Sequence, residues 1–545
     1  MDKNEKSVQR TALIPFALLV LIYCVWILSL PLFPAQDSPM HLYIASVLSS
    51  LLSGSNHFST YFYVRHLVTP YCLHYYFLII FGRIFSFPIA DKLLVCAVIV
   101  CSAFGFRYLA LTVGPSGDVM SLFAIPLFLS WPLGMGFYNY CLSLGLAFWA
   151  LGFWSRAVSD RSNRMGTFFL GTVMLMALTH PIPVALVVAF VALHLGWRML
   201  QELLRTSIRS RGLYRRFARF GREIFYVALA SFSLVYIAYF ASKHVVVNKP
   251  HRIYDPMGAL GAIVRAQYLS LYAGVRLTTQ LDRLSLYVIL ALAILFASQG
   301  FLGRWRMHNS SFGDVLLTCA LLLAVILVLL PPNLHAVDAI SARLILIVWL
   351  AALAASSGHS RFSPRIRIAV ASIACIYAVA VLALANVRIR PVANKIATIE
   401  NLPVVVDKRA GLGLDIQDRP VGTELGFDPY YWTTARYFRR TRSTMFNSGW
   451  TYQHYILLGS RSHSISDGLT PEIMGTPWEL EDLLLRSPVE QRKILPQSDL
   501  LVFLGYAKNP QDMVADAHAI DLQEPQRVWS CQNEDWYFVC TKSKN

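Results

Sequence analysis

Charged residues are scarce in this sequence. Only 14% of its 545 residues are Asp, Glu, Lys or Arg, whereas 56% are hydrophobic, and the mean hydropathy is +0.49. A composition this apolar excludes an ordinary soluble globular protein. The apolar runs have the length of membrane-spanning helices and far exceed the strands of a membrane barrel. The predicted fold class is therefore a polytopic α-helical membrane protein.

The motifs of nucleotide-driven and hydrolytic enzymes are also missing. The chain has no P-loop, no Rossmann glycine pattern followed by an acid, and no G-x-S-x-G elbow. These absences argue against a nucleotide-driven pump and a serine hydrolase. No internal repeat is visible in the apolar segments, which weakens the case for a secondary transporter. No cofactor is indicated with certainty, and a divalent metal stays open because no HxH or HExxH spacing supports it.

Acidic residues are fewest in the first part of the chain. Residues 1–390 contain 12 Asp and Glu against 32 Lys and Arg, whereas residues 391–545 contain 19 against 16. We therefore predict a membrane domain, 1–390, and a soluble C-terminal α/β domain, 391–545. The basic membrane domain favours contact with membrane lipids and phosphate groups, and nothing in the sequence points to nucleic acid.

Twelve apolar segments define the predicted membrane topology. They are 12–33, 71–89, 93–112, 119–133, 138–154, 165–180, 183–200, 223–241, 284–302, 314–331, 340–356 and 368–387. Strongly basic connectors lie at 156–164, 198–222, 304–306 and 361–367. The positive-inside rule places all of these connectors and the N-terminus in the cytoplasm if 71–89, rich in Tyr and His, is interfacial rather than spanning. About eleven spans result, with the C-terminal domain outside. A re-entrant 119–133 or 138–154 is the alternative.

Patterns outside the spans predict further elements. The outward loop 34–92 opens with an amphipathic helix, Met40–Leu52, which suits the membrane surface. In the tail, 497–505 reads as a buried strand, 528–541 as a hairpin and 472–486 as a helix. Two cysteines, Cys531 and Cys540, bracket the hairpin turn and form a disulfide if the domain lies in an oxidising compartment.

Asp37 is the sharpest candidate for acid–base chemistry. It lies at the mouth of the first span, between Pro34 and Pro39, which restrict the backbone, and one helical turn before His41. A carboxylate at a membrane interface is costly to bury and suits proton transfer. A capping role explains the same residues equally well, because Asp followed by Pro is a typical helix start.

Two further side chains mark the outward ends of spans. His180 suits phosphate binding, polarisation of an acceptor, or satisfaction of free carbonyls at a helix C-terminus. Arg343, which enters a span with no charge partner nearby in sequence, suits bidentate binding of a lipid phosphate. In the loop before it, His335 and Asp338 are candidate metal ligands together with Asp37.

The outward loop 242–283 is basic, against the bias of the predicted topology. It carries six Lys and Arg, including Arg265 and Arg276, against two Asp. An anionic head group or a diphosphate as ligand explains this charge, and a solvated basic loop is the alternative.

The chain resembles the GT-C superfamily of membrane glycosyltransferases, which includes protein O-mannosyltransferases and aminoarabinose transferases. The likeness lies in a first span, an outer loop opening with Gln36-Asp37-Ser38-Pro39-Met40-His41, about ten further spans and an outer soluble domain. The segment from Gly134 to Tyr140, which includes Tyr138, is similar to one in bacterial members.

This resemblance implies a polyprenyl-phosphate-linked sugar as donor and Asp37 as the catalytic base. The acceptor would be a hydroxyl of a glycan, lipid or protein, attacked with inversion at the outer face of a bacterial inner membrane. His41, His180 and Tyr138 would join Asp37 in the cavity, and Arg343, Arg265 and Arg276 would bind the donor phosphate. Many relatives have two adjacent acids in this loop, whereas Ser38 follows Asp37 here, so a metal-dependent mechanism is in doubt.

Two other classes of function fit parts of the sequence. An O-antigen polymerase or ligase typically depends on Arg and His in large outer loops, which the loop 242–283 matches. A transporter or a membrane scaffold that presents the C-terminal domain is the non-enzymatic alternative.

Overall fold

The computed structural model describes most of the membrane part of the chain and short segments of the tail. The described residues are 3–54, 56–59, 62–204, 220–244, 312–329, 340–358, 363–400, 410–415, 433–442, 444–445, 458–460, 478–479, 500–504, 529–534 and 537–542. The chain divides into two compact units, of which unit 1 is Met1–Ile27 with Val95–Val387 and unit 2 is Leu28–Leu94 with Arg388–Asn545. The predicted domain boundary at residue 390 stays a prediction.

Helices dominate the first 400 residues and strands the described parts of the tail. In chain order the elements are α1 (Lys3–Ser29), α2 (Ser38–Leu52), α3 (Asn56–Ser59), β1 (Phe62–Val64), α4 (Leu73–Ile84), α5 (Phe87–Val113), α6 (Gly117–Ala124), a 3₁₀ turn (Ile125–Phe128), α7 (Trp131–Gly134), α8 (Tyr138–Ser159), α9 (Asn163–Ala177), α10 (Pro181–Leu204), α11 (Gly221–His244), α12 (Phe312–Leu329), α13 (Ile340–Ser356), α14 (Pro364–Glu400), β2 (Ala410–Asp415), α15 (Thr433–Arg440), β3 (Thr444–Met445), β4 (Leu458–Ser460), β5 (Trp478–Glu479), β6 (Leu500–Leu504), β7 (Trp529–Glu534) and β8 (Tyr537–Lys542).

The chain is a multi-pass membrane protein. Among the described residues, seven helical segments are long and apolar enough to cross a bilayer. They are Phe87–Val113, Gly117–Gly134, Tyr138–Ser159, Pro181–Leu204, Gly221–Phe240, Phe312–Leu329 and Arg365–Glu400. Helix α4 has 12 residues, too few to cross, as its sequence indicates. The predicted span 284–302 lies outside the described residues, so the count of eleven stays a prediction.

The short predicted segment 119–133 is a broken helix. It consists of α6, the 3₁₀ turn and α7, with Pro126 and Pro132 at the N-terminal positions of the last two. Proline lacks an N–H and starts a helix more readily than it continues one. Every residue from Gly117 to Gly134 is buried, which is the condition under which irregular backbone is tolerated at membrane depth.

Small residues bring α5 and α8 of unit 1 into close contact. A Cβ atom added to Gly105 would lie 2.8 Å from the carbonyl oxygen of Gly145, and one added to Gly145 would lie 2.8 Å from Ser102 Oγ. Helices in a membrane gain packing energy from such close backbone approach, because lipid offers no hydrophobic drive for association.

The substitution Gly105→Ala is therefore expected to destabilise the protein by about 1–3 kcal/mol through overpacking. Gly171→Ala is the matched control, because a Cβ atom there meets nothing within 4 Å. Thermal unfolding of both variants in detergent measures the difference. Equal stability of the two variants would contradict the close α5–α8 contact.

Helix α2 lies in the interior of unit 2, where it packs against α4 and α15. Its residues from Ser38 to Ser49 are buried except Ser46. The predicted helix is confirmed and is covered by α15 of the tail, and its expected position on the membrane surface stays a prediction. Strand β1 also pairs with β4 of the tail, with Phe62 opposite Ser460.

The strands of the tail form a mixed sheet in the order β3-β2-β6-β8-β7, with β5 also paired to β2. The strand predicted at 497–505 coincides with β6, and the hairpin predicted at 528–541 with β7 and β8. In that hairpin Cys531 stands opposite Cys540, and Cys540 is disulfide-bonded. The helix predicted over 472–486 is wrong at Trp478 and Glu479, which form strand β5 and run parallel to β2. The residue before β5 is Pro477, and a proline disfavours a helical backbone at the residue that precedes it.

Candidate functional site

Asp37 is fully buried at the start of α2 in unit 2. Its carbonyl oxygen accepts hydrogen bonds from the N–H groups of Met40 and His41, each at 3.1 Å. Its side chain makes no capping hydrogen bond, and its backbone is helical, with φ −89° and ψ −9°. A capping residue normally has an extended backbone, which aims its side chain at the first-turn N–H groups. The carboxylate of Asp37 is thus not used to cap the helix, and the capping interpretation is not borne out.

His41 lies one turn further along α2 and contacts two residues of α4. Its Nδ1 atom is 2.9 Å from the hydroxyl of Tyr75, and its ring meets that of His74 edge to face at 5.0 Å. Burial, and then the negative charge of Asp37, raise the pKa of Tyr75 well above its usual value. A phenol is neutral at physiological pH even at its usual pKa, and this shift makes its ionisation still less favourable. The group consists of a carboxylate, two imidazoles and a neutral phenol.

Sequence reasoning missed His74 and Tyr75 as site residues. The signal was present, because the polar and aromatic content of 71–89 set this segment apart from the spans. It predicted an interfacial helix, whereas the structure shows that both side chains are buried beside His41.

A second buried carboxylate of unit 2 has a structural role. Ser38, the first residue of α2, donates a hydrogen bond of 2.8 Å from its hydroxyl to Asp91 Oδ2. The adjacent Lys92 donates from Nζ to the carbonyl oxygens of Leu28 and Leu30, at 3.0 and 2.8 Å. These contacts hold both ends of the short segment that joins α1 to α2 and so fix the backbone at Asp37.

Arg343 is the centre of an aromatic cluster in unit 1. Its guanidinium carbon lies 4.0 Å from the ring centre of Phe137 and 5.8 Å from that of Tyr140. The hydroxyl of Tyr140 donates to the backbone carbonyl of Arg343. Stacking of this kind covers a face of the guanidinium and leaves its edges for hydrogen bonding in the plane.

A tight turn places the aromatic residues around Arg343. Gly136 has a φ of +85°, a left-handed conformation that glycine adopts without strain, and α8 begins two residues later. Tyr138, a predicted cavity residue, is the first residue of α8 and is fully buried. The predicted Gly134–Tyr140 segment therefore serves to surround Arg343.

His180 joins the same cluster. Its ring meets that of Tyr140 edge to face at 5.4 Å, and its Nδ1 atom accepts a hydrogen bond of 3.2 Å from the N–H of Ile182. Burial, and then the positive charge of Arg343, lower the pKa of His180 well below its usual value. The imidazole is therefore neutral, and since Nδ1 is an acceptor its proton is on Nε2. His180 can donate a hydrogen bond but does not supply a positive charge.

Several predicted site residues lie outside the described residues: Arg265, Arg276, His335 and Asp338. Within the described ranges, no group of three His, Cys, Asp or Glu side chains could hold a metal ion. The structure describes Asp37 and His41 in unit 2, and Arg343, His180 and Tyr138 in unit 1.

Comparison with solved structures identifies the fold. ArnT from Cupriavidus metallidurans in the apo state superimposes with a TM-score of 0.54 at 11% identity, covering 98% of both chains. The same protein bound to undecaprenyl phosphate gives a TM-score of 0.50 at 12% identity, covering 97% of both. The fold is GT-C-like. The mycobacterial arabinofuranosyltransferase AftD gives a TM-score of 0.47 at 15% identity, with 98% of this chain matching 40% of that one. No protein-family model matches the chain, and no curated protein matches its sequence.

The likeness to ArnT confirms the fold that the sequence resemblance implied. It extends over nearly the whole of both chains. At this identity the likeness concerns the fold alone, and the roles of individual residues have to be argued from their own geometry.

The lowered pKa of His180 gives a testable pH dependence of stability. The unfolded chain takes up a proton near pH 6.5 while the folded protein does not, so stability falls as the pH drops below that value. Between pH 6.5 and 5.5 the loss from this residue is expected to be about 1 kcal/mol. Unfolding of the wild type and His180→Gln at both pH values isolates it. An identical pH slope in the two proteins would contradict a neutral, buried His180.

Proposed function

We propose that this protein transfers a sugar from a polyprenyl-phosphate donor to the hydroxyl of an acceptor, at the outer face of the membrane. The proposal rests above all on Asp37, a fully buried carboxylate whose side chain does not cap the helix it precedes. Buried carboxylates carry a large desolvation cost and are found mainly where they are paired or where chemistry uses them. The GT-C-like fold supplies the context.

The chemistry is a direct displacement with inversion at the anomeric carbon of the sugar. The acceptor oxygen forms a bond to that carbon as the bond to the lipid phosphate oxygen breaks. Asp37 accepts the hydroxyl proton, and the phosphate leaves with the bonding electrons. His41, held by Tyr75, orients the acceptor.

Arg343 is proposed to bind the phosphate of the donor. A guanidinium stacked on an aromatic ring presents parallel N–H bonds that match two phosphate oxygens, and its fixed charge stabilises the leaving group. His180 adds a neutral Nε2–H donor. The capture of undecaprenyl phosphate by ArnT supports a polyprenyl phosphate as the lipid.

The proposed orientation follows the charge bias of the connectors. The N-terminus and the basic connectors are cytoplasmic, eleven spans cross the bilayer, and the tail is outside. The acceptor is a glycan, lipid or protein on that side.

Asp37→Asn is expected to lower the turnover number for sugar transfer by about 10²–10⁴-fold, because the amide cannot take the acceptor proton. Transfer from a polyprenyl-phosphate sugar in membranes measures the effect. Asp91→Asn, which also neutralises a buried acid of unit 2 but keeps an oxygen that can accept from Ser38, serves as the control and is expected to keep activity within a few-fold. Near-normal turnover of Asp37→Asn would remove the base and favour polymerase or ligase chemistry.

Arg343→Lys keeps the charge but loses the planar fork and the stacking on Phe137. We expect the KM for the donor to rise by about 10-fold or more, the loss of one charge-assisted hydrogen bond. The KM for the acceptor is expected to stay nearly constant. Arg164→Lys is the control, because Arg164 is also stacked, over Phe168 at 5.4 Å, but is solvent-exposed. An unchanged donor KM in Arg343→Lys would contradict phosphate binding by Arg343.

A further inference from the structure

Helix α15 (Thr433–Arg440), whose sequence includes three arginines, has no part in the proposed reaction. It packs against α2 and against strands β2, β3 and β6 of unit 2. Two α15 side chains, Ala435 and Phe438, are fully buried and anchor it. The arginines of α15 are therefore built into the interior of the same unit that contains α2.

Two of these arginines share a single carboxylate. Arg436 donates from Nη1 to Glu400 Oε1 at 3.0 Å, and Arg439 donates from Nη2 to Glu400 Oε2. They stand three residues apart on a helix and so lie on one face of it. Two guanidinium groups against one carboxylate leave a net charge of +1 in a largely buried place.

Part of Arg436 is left without a hydrogen bond. Its side chain is 1% exposed, and its Nε and Nη2 atoms, like Nε of Arg439, are buried with no partner in the part of the chain that the structure describes. Native proteins rarely bury donors in this way, and the positive charge that Glu400 leaves uncompensated in this cluster is unfavourable in a largely buried place. A bound anion would accept from these donors and balance the charge.

The two nitrogen atoms of Arg436 that have no partner have a defined arrangement. Nε and Nη2 lie on the same edge of a guanidinium and point their N–H bonds in parallel, whereas Glu400 takes Nη1. That edge binds two oxygens of a phosphate or carboxylate at once. Nε of Arg439 adds a third donor, and 9% of the Arg439 side chain and 11% of that of Glu400 are exposed, so the cluster reaches the surface.

We propose that Arg436 and Arg439 form a binding site for a phosphate group, with Glu400 holding the two side chains in place. The site is separate from Arg343 and goes beyond the proposed function, which does not require it. The phosphate comes either from free inorganic phosphate or pyrophosphate, or from the head group of a polyprenyl phosphate.

The experiment measures thermal unfolding of the full-length protein in detergent, with no turnover, so its outcome does not depend on Asp37. One arm adds inorganic phosphate or pyrophosphate against sodium chloride at equal ionic strength. A second arm adds undecaprenyl phosphate against undecaprenol in mixed micelles, and it uses proteins that carry Arg343→Gln so that binding at Arg343 does not contribute. When Arg436 is intact, we expect the added phosphate to raise the unfolding temperature by a few degrees, because a ligand that binds only the folded state stabilises that state. The arm in which the unfolding temperature rises identifies the source of the phosphate group.

Variants assign the rise to the site. Arg436→Gln is expected to abolish it, whereas Arg442→Gln, which removes an exposed charge just beyond α15, is expected to keep it. Glu400→Gln is expected to strengthen phosphate binding, because the amide oxygen can still accept from Arg436 and hold it in place while the competing negative charge is lost. This increase distinguishes a binding site from a purely structural ion pair, in which Glu400→Gln lowers stability without altering the response.

Three results would overturn the proposal. They are the absence of a rise in both arms when Arg436 is intact, a full rise in Arg436→Gln, and, in the arm with phosphate or pyrophosphate, a rise that disappears in Arg343→Gln but not in Arg436→Gln. If Arg436→Gln does not fold, Arg439→Gln and Glu400→Gln decide, with opposite expected changes in phosphate affinity.

Discussion

The packing of α2 against α4 and α15 is the interaction on which the candidate site depends. Met40, Leu42, Tyr43 and Ile44 are at most 2% exposed, and burial of each such side chain contributes about 1.5–3 kcal/mol. This apolar contact encloses the start of α2 and so takes Asp37 out of water. The same contact brings the arginines of α15 into the interior of unit 2.

Desolvation gives the buried polar groups their properties. In unit 2 desolvation raises the pKa of Tyr75, which lies beside His41, so the phenol stays neutral. In unit 1 desolvation lowers the pKa of His180, which lies beside Arg343, so the imidazole is neutral. The neutral His180 can therefore lie next to the positive charge of Arg343, whereas two positive groups would repel each other. The chemistry proposed for each group follows from its burial more than from its residue type.

The membrane imposes a second constraint, on the backbone. In hydrocarbon every N–H and C=O group has to be bonded within the protein, so spans are helical. The broken segment Gly117–Gly134 shows the exception, since it is enclosed by protein. The turn at Gly136, which arranges the aromatic residues around Arg343, follows directly after it.

Hydrophobic periodicity predicted the helices of the membrane part and the hairpin of the tail, whereas the GT-C plan came from the resemblance of the sequence to that superfamily. These features depend on local sequence, because an apolar run of about 20 residues has few alternatives to a spanning helix. The helix expected over 472–486 failed where pairing with β2 outweighed local preference, as strand formation depends on distant partners.

The sequence by itself determined that this is a basic, multi-pass membrane protein in which Asp37 follows the first apolar segment. Only the tertiary structure decided whether the carboxylate of Asp37 caps α2, because that depends on a backbone angle and not on residue type. It also decided that His74 and Tyr75 join His41, and that Arg436 and Arg439 share Glu400. These groups lie some tens of residues apart in the sequence and carry no periodic signal, and only the packing of distant segments brings buried polar groups together.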